Sequence, residues 1–236
     1  MSELFSIQLQ NRQQQGGDGV WLDLPTTTEQ VQAALRQIGI SSDNPQGLFI
    51  SGYFAEEEKR FAIPYNMVLA SNVDELNFLA SRLETLSTGE RAELNAALQA
   101  PQSELFSIGR ITDFPENVDY YVHLPDVHGP AQLGDYYLNR SGMVNMPEEW
   151  KGGIDTAQFG RYVAQQEQGA FTQYGYLVKS GDEWQKVHEG QPVPEEYRVL
   201  SFPAPEVLRD SANIPPPVQP ETEPQKVIPI ILNGKD

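Results

Sequence analysis

The sequence predicts an α+β fold, in which short antiparallel strands and amphipathic helices follow each other along most of the chain. Two observations carry this prediction. Two aromatic-rich stretches end in Leu-Pro, at residues 20–25 and 120–125, and are typical of strands that run into a turn. Elsewhere, leucines recur at alternating spacings of four and three residues, which is typical of helices that bury one face. With 236 residues, 39% of them hydrophobic, the chain can bury a sizeable core.

The string SELFSI occurs twice, at residues 2–7 and 103–108, and each copy precedes one of the Leu-Pro strands. A helix candidate follows each strand, at residues 28–38 and 131–140. The repeat therefore predicts a unit of strand, loop, strand, Leu-Pro and helix that is used twice, with the helix on one face of a small sheet. Duplication and two similar solutions of one packing problem both explain it.

The stretch GLFISGYF, at residues 47–54, predicts a third strand in the N-terminal region. A second apolar run at 61–63 would pair with it, and the tip of that hairpin would carry three consecutive acids. The glycine-rich residues 16–19 indicate a hairpin turn, because they lack the lysine and the following helix that a phosphate-binding loop requires.

Two helices in the middle of the chain form a predicted helical hairpin. Asn72 and Glu75 have the spacing of a capping box, and leucines at positions 76, 79, 83 and 86 form one apolar stripe. Ser87 and Glu90 restart a helix that runs to residue 98.

The C-terminal part predicts a helix that begins at Asp155 and buries Phe159, Tyr162 and Val163. A β-hairpin would follow, with strands at 170–179 and 183–188. Beyond Phe202 the chain is rich in proline, which predicts an extended linker or tail. Its apolar cluster at 227–232 fits either an added strand or a disordered tail.

Net charge is the unusual property of this composition. The chain has 33 acidic and 16 basic residues, a net charge of −17. The excess covers the folded part, with net −7 in residues 1–100, −8 in 101–202 and −2 in 203–236. Such a surface repels nucleic acids and membranes and attracts basic partners, although plain solubility also explains it.

The sequence gives no signature of catalysis. The histidines His123 and His128 flank Asp126, but their spacing does not fit a zinc site, and no nucleophile elbow or dinucleotide-binding motif is present. We therefore expect no catalytic residue, no metal and no cofactor. The absence of cysteine, of a signal peptide and of a membrane-length apolar run predicts a cytoplasmic protein.

An acidic protein can compete with DNA for a basic groove. Duplex DNA carries about one charge per 1.7 Å of its axis, and helix residues three or four apart are separated by about 5–6 Å at Cβ. Acids along a helix face therefore approximate the spacing of phosphates at a lower density. A groove lined with Lys and Arg would be the target.

The chain resembles the ArdA antirestriction proteins through several motifs in order. They are residues 49–53 (FISGY), 73–80 (VDELNFLA), 159–162 (FGRY), 169–172 (GAFT) and 174–176 (YGY). The stretch WLDLP at 21–25 and the helix at 31–39 fit the same pattern, so the resemblance covers roughly residues 4–190.

This resemblance implies an elongated protein with three small α/β domains in a row, and a homodimer formed through the C-terminal domain. It also implies a DNA mimic that occupies the DNA-binding groove of Type I restriction-modification enzymes through their methyltransferase core, without binding nucleic acid or membranes itself. With the predicted elements, the regions become an N-terminal domain at 1–66, a helical hairpin at 67–102, a middle domain at 103–152, a C-terminal domain at 153–202 and a Pro-rich tail at 203–236.

Carried over from the family, acids on exposed segments would stand for phosphates. Each of them is also explained as an ordinary solvated acid or a helix cap. The candidates are Glu56, Glu57, Glu58, Asp74, Glu75, Glu84, Glu90, Glu93, Asp113, Glu116, Asp119, Asp126, Asp135, Glu148, Glu149 and Asp155.

Two further hypotheses stand beside this one. The first is a non-enzymatic scaffold of a mobile genetic element that binds a partner through its Pro-rich tail. The second is a small-molecule enzyme, with His123, Asp126 or His128 converging in a pocket. The chain also departs from the resemblance, because basic residues interrupt its acidic faces and the tail lies outside the matched motifs.

Overall fold

Two three-stranded antiparallel sheets and eight α-helices make up the part of the chain that the structure, a computed structural model, describes: residues 4–14, 17–56 and 61–205. The strands are β1 Phe5–Asn11, β2 Val20–Leu24, β3 Leu48–Phe54, β4 Tyr121–Leu124, β5 Ala170–Thr172 and β6 Gly175–Lys179. The helices are α1 Thr28–Gln37, α2 Tyr65–Leu69, α3 Val73–Leu83, α4 Thr88–Gln99, α5 Ile108–Thr112, α6 Pro130–Asp135, α7 Glu148–Lys151 and α8 Thr156–Glu167. A π-helical turn, Tyr136–Arg140, continues α6.

The N-terminal sheet confirms the first half of the predicted unit. Its strand order is β2-β1-β3, and Ile7 of the central strand pairs with Leu22 on one side and Tyr53 on the other. Buried and half-exposed residues alternate along β1, as expected for a strand with one face on the core. Helix α1 follows, and Thr27 and Gln30 close a capping box at its start.

The second SELFSI copy does not form a strand, so the prediction of a repeated unit is wrong. After the first copy, apolar and polar residues continue to alternate through Gln10, which favours a strand. After the second copy, Ile108 and Ile111 are buried at helical spacing, and the Ser107 side chain accepts a hydrogen bond from the Arg110 amide. The same six letters therefore begin a strand in one context and cap helix α5 in the other.

The second sheet corrects the predicted C-terminal hairpin. Its order is β4-β6-β5, so β6 lies between β5 and the distant β4. The hairpin of β5 and β6 turns at residues 173–174. Gly175, the next residue, has a φ of 120° and lies against the Leu124 carbonyl. Residues 183–188 form no strand. The predicted strand at 61–63 is also absent, because Phe61 and Ile63 are buried in the core and the Ala62 amide donates to Asn95.

The predicted buried face of α8 is wrong in part. Tyr162 is 60% exposed and Val163 is half-buried, and the buried residue of α8 is Gly160, which lies against the backbone of α6. Asp155 caps the helix as predicted, by accepting from the Gln158 amide. Helices α6 and α8 thus approach each other closely at a glycine, and the contact through Tyr162 that the sequence predicted does not form.

The hydrophobic side chains form two clusters. The larger one joins the N-terminal sheet, α1, α3, α4 and α5. The smaller one is built around Val127, Leu133 and Tyr176, where α6 and the second sheet meet. None of the described helices has the length and apolar character needed to cross a membrane.

The chain divides into two units, Met1–Pro205 and Glu206–Asp236. The predicted tail, apart from residues 203–205, lies outside the described residues. The finer boundaries at 66, 102 and 152, and the arrangement of three domains in a row, stay predictions.

Candidate partner-binding surface

The two central helices, α3 and α4, both begin with a capping box, which the sequence predicts for α3, while for α4 it predicts the helix start. The Asn72 and Ser87 side chains accept from the backbone amides of Glu75 and Glu90, and both glutamates accept from the cap residue's own amide. These hydrogen bonds from Ser87 lower the pKa of Glu90. Glu75 and Glu90 thus combine a local structural role with a half-exposed negative charge.

Asp74 links α3 to a distant segment of the chain. Its Oδ1 accepts from the backbone amides of Val199 and Leu200, at 2.7 Å each. The side chain is half-buried, so much of its hydrogen-bonding capacity faces the protein. Asp74 is therefore primarily an anchor for residues 199–200.

Glu93 on α4 has an unusual environment. Burial raises its pKa to about 8, and the nearby carboxylates of Asp119 and Glu90 add to the rise. Its Oε1 is covered and has no hydrogen-bond partner in the described part of the chain. At neutral pH this carboxyl is mostly protonated, so it contributes little negative charge to a partner.

We expect Glu93→Gln to stabilise the protein at alkaline pH. In the unfolded chain Glu93 loses its proton near its ordinary pKa of 4.5, whereas the folded chain keeps it until about pH 8. The folded state therefore binds more protons between these values, and stability falls as the pH rises through that window. Because the side chain is only half-buried, solvent screening limits the effect to roughly 1–2 kcal/mol.

Urea unfolding near pH 5 and near pH 9 measures this difference. The gain of Glu93→Gln over the native chain should be larger at the higher pH. Glu149→Gln, at an exposed position, is the matched control and should show no such change. An equal effect of Glu93→Gln at both pH values would contradict the assignment.

Asp113 is fully buried, which corrects the expectation of an exposed acid. Its carboxylate accepts from three consecutive backbone amides, those of Val187, His188 and Glu189, at 3.3, 2.6 and 3.2 Å. The carboxylate thus holds the loop that the sequence predicted as a strand. It is not available to a partner.

Three of the candidate acids form ion pairs with neighbouring cations. Glu116 pairs with Arg82. The other two pairs are short-range, Asp135 with Arg140 at 3.0 Å and Glu148 with Lys151 at 2.6 Å. Local cations therefore compensate part of the negative charge, as the interrupted acidic faces in the sequence suggested.

The remaining candidates differ in exposure. Glu84 is half-buried, whereas Glu56, Asp119, Asp126, Glu149 and Asp155 are exposed. Glu57 and Glu58 lie outside the described residues. The structure brings Glu90 and Asp119 close enough to Glu93 to raise its pKa.

Sequence reasoning missed two acids with defined partners. Glu104 accepts from Arg110 and Lys179, both at 2.8 Å, and these contacts, led by the Lys179 hydrogen bond, lower its pKa. Glu167 accepts from the hydroxyls of Tyr137 and Tyr176, which joins α8 to the π-helical turn and β6. Nothing in the local sequence marks either residue, because Lys179 and Tyr137 are distant in the chain and Arg110 and Tyr176 follow at no recognised spacing.

The histidine cluster does not form a pocket site. His123 Nε2 lies 2.7 Å from the Tyr174 carbonyl, while Asp126 and His128 are exposed. None of the three lines the cavities of about 580 and 390 Å³ that the described residues enclose. Nor do the described His, Asp and Glu residues include a group of three or more that could hold a metal ion.

Comparison with known proteins identifies a family. A family model described as antirestriction protein (ArdA) matches residues 17–178, which is more than half of the chain. No curated protein shows a significant match. All the candidate acids, from Glu56 to Asp155, lie inside the matched range.

Proposed function

The chain belongs to the ArdA family of antirestriction proteins, and we propose that it is a DNA mimic that occupies the DNA-binding groove of Type I restriction-modification enzymes. Its partners as a family member are restriction-modification enzymes; the mechanism and the enzyme type are the proposal. Inhibition would come from occupancy of the groove by carboxylates, so the proposal assigns no catalytic residue.

The observation that carries the proposal is the distribution of charge. Residues 1–202 hold 28 acidic and 13 basic residues, and the excess is similar in both halves of that range. A protein that needs only solubility gains nothing from carboxylates at particular places, whereas a mimic needs them exposed within the family region. Asp119, Asp126 and Glu149 meet that requirement, because all three are exposed and lie within residues 17–178.

Three of the candidate acids have structural roles or are mostly uncharged, and we exclude them from the proposed surface. Asp113 is in the core, Asp74 holds residues 199–200, and Glu93 is mostly neutral at pH 7. Local cations partly compensate Glu116, Asp135 and Glu148, and the other described candidates keep a charge that a basic groove can meet. Glu75, Glu90 and Asp155 serve as mimic and helix cap together, because capping uses only part of a carboxylate's acceptor capacity.

The proposal also includes a homodimer formed through the C-terminal region, residues 153–202. Tyr162 on α8 supports it, since a large aromatic side chain that is 60% exposed is a common feature of interfaces. Trp150, which is 65% exposed in α7, lies just before this region.

Competition with DNA tests the proposal. The purified protein is titrated into a Type I methyltransferase core bound to a labelled duplex, at low and at moderate salt. We expect displacement of the duplex that weakens as salt rises, because exposed charges are screened. Absence of displacement at low salt, across several such enzymes, would contradict the proposal and favour a scaffold protein, which truncation after Phe202 would then test.

A matched pair of triple variants separates specific carboxylates from bulk charge. We expect Asp119→Asn with Asp126→Asn and Glu149→Gln to weaken competition by about tenfold or more, at roughly 0.5–1 kcal/mol per exposed pair. The control replaces Glu183, Glu195 and Glu196 with glutamine, which are exposed but lie outside residues 17–178. It makes the same change in net charge and should weaken competition with DNA by less than about threefold. Light scattering on each variant verifies that its oligomeric state is unchanged.

A further inference from the structure

A cavity of about 580 Å³ opens between the start of α3, helix α5 and the loop at 188–193. Its apolar lining includes Met67, Phe78, Ile108 and Val193. Phe106 also lines it and is 63% exposed, which is unusual for a phenylalanine in a folded chain. The cavity is large enough to receive a long side chain from another protein.

Hydrogen bonds and ring contacts hold the walls of this cavity. Asp113 holds the loop through the amides of residues 187–189, and Asn117 accepts from the Gln185 amide at 2.7 Å. Phe78 packs between His188 and Tyr197, with ring centroids 4.9 and 4.7 Å away. A preformed cavity binds with little ordering cost.

The formally charged residues among those described around the cavity are all acidic. Among the described lining residues, Glu75 and Glu189 are the only ones with a formal charge, and no Lys or Arg is present. The charge of Glu189 is compensated by ion pairs, because Oε1 accepts from Arg110 at 3.1 Å and Oε2 lies 3.7 Å from Lys186, although this buried Oε2 has no hydrogen-bond partner in the described part of the chain. Glu75 uses Oε2 for a 3.3 Å contact to the Asn72 amide, which leaves Oε1 without a hydrogen-bond partner in the described part of the chain. The cavity therefore offers an uncompensated carboxylate beside apolar walls.

The neighbourhood already accommodates a guanidinium. Arg110, which is only 7% exposed, lies 4.6 Å from the centroid of the Phe106 ring and pairs with Glu104 and Glu189. Aromatic faces and carboxylates are the groups that arginine prefers, and its aliphatic stem packs well on apolar walls. A second arginine, entering from outside, would find the same chemistry in Phe106 and Glu75.

We propose that this cavity receives one arginine side chain from the DNA-binding groove of the restriction-modification enzyme. The inference rests on the proposed function and deepens it, because it adds a shaped pocket to a surface otherwise defined by charge. Binding would then depend on a particular arginine as well as on the summed field of the carboxylates.

Blocking the cavity with the chain's own arginine tests the proposal. Ala70 is exposed and lines the cavity, so Ala70→Arg places a guanidinium where the partner's would lie. We expect competition with DNA to weaken by about tenfold or more, which is a common cost of losing one buried arginine anchor. Ala33→Arg makes the same substitution at an exposed position of α1, outside the proposed surface. It should weaken competition with DNA by less than about threefold. Equal effects of the two variants would overturn the inference and leave the proposed function standing.

A second measurement does not depend on any enzyme. Nuclear magnetic resonance follows the isolated protein during titration with Nα-acetyl-arginine methylamide, and the citrulline analogue serves as an uncharged control. We expect millimolar binding of the arginine probe, with shifts at Phe106, Phe78 and His188 that Ala70→Arg abolishes. Equal shifts with citrulline, or none at these residues, would overturn the pocket assignment. If the wild-type chain fails to displace DNA but binds the probe, the failure lies in the proposed function.

Discussion

Asp113→Ala is expected to lower the free energy of unfolding by about 3–5 kcal/mol. The substitution removes a fully buried carboxylate that accepts from three backbone amides, and it leaves those part-buried amides without their acceptor. Each orphaned buried donor costs roughly 1–3 kcal/mol. For a chain of this size, the loss corresponds to a fall of about 6–20 °C in the unfolding temperature.

Chemical denaturation and thermal scans of Asp113→Ala measure this loss. Asp119→Ala is the matched control, since it removes an exposed carboxylate six residues away and should change stability by less than about 0.5 kcal/mol. Asp113→Asn should fall between the two, because it keeps one acceptor oxygen. A loss below about 1 kcal/mol for Asp113→Ala would show that water replaces the carboxylate in the loop.

The effect of Asp113 also extends to the cavity. The loop that it anchors supplies His188, Glu189 and the residues up to Val193 to the cavity wall. We therefore expect Asp113→Asn, if it stays folded, to weaken binding of the arginine probe as well. Stability and recognition are thus coupled through a residue that the sequence placed on the surface.

Local signals in the sequence were reliable guides to the fold. The capping box at Asn72 and the helix starts at Ser87 and Asp155 form as predicted, because a cap involves residues only three apart. The alternation along β1 likewise predicted its strand and its buried face. Such elements follow from short-range chemistry that is complete within a few residues.

Predictions that depend on distant partners failed. Residues 183–188 have strand composition, but β4 occupies the place beside β6 that they would need. Tyr162 has the spacing of a buried residue, yet two glycines let α6 and α8 approach so closely that the contact shifts to Gly160. The second SELFSI copy caps helix α5, because Ile108, its last residue, and Ile111 are buried at helical spacing. In each case the deciding contact is not encoded within the segment itself.

The candidate partner-binding surface was likewise predictable only in part from the sequence. Acid content and order of motifs pointed to the family, which the match over residues 17–178 confirms. Which acids face solvent was not predictable, because Asp113 and Asp119 lie in one short stretch, one fully buried and the other exposed. The burial of Asp113 is set by the amides of residues 187–189, more than seventy positions away.

Gly160→Ala is expected to cost about 3 kcal/mol or more, through the packing of α6 on α8. A Cβ at position 160 would lie 1.8 Å from the Pro130 carbonyl oxygen and 2.8 Å from the Gly134 amide nitrogen. These are backbone atoms, so no side chain can turn away, and the helices must separate. Overpacking of a core typically costs about 1–3 kcal/mol, and a clash with rigid backbone lies at the upper end or beyond.

Gly89→Ala is the matched control for this prediction. Gly89 lies in the first turn of α4, and a Cβ there would meet no atom within 4 Å. Alanine is the better helix former, so this variant should lose nothing and gain up to about 1 kcal/mol. Guanidinium unfolding of both variants, followed by circular dichroism, compares a conformational gain with a steric loss for the same chemical change.

The helix contact also allows a test of the proposed function, because α6 and α8 lie inside the matched family region. Separation of the helices would open the small cluster around Leu133 and Tyr176 and pull Glu167 away from its two tyrosines. Gly160→Ala should therefore weaken DNA competition beyond what its unfolded fraction explains, whereas Gly89→Ala should not. If Gly160→Ala were as stable and as active as Gly89→Ala, the close packing of these helices would not be a feature of the protein in solution.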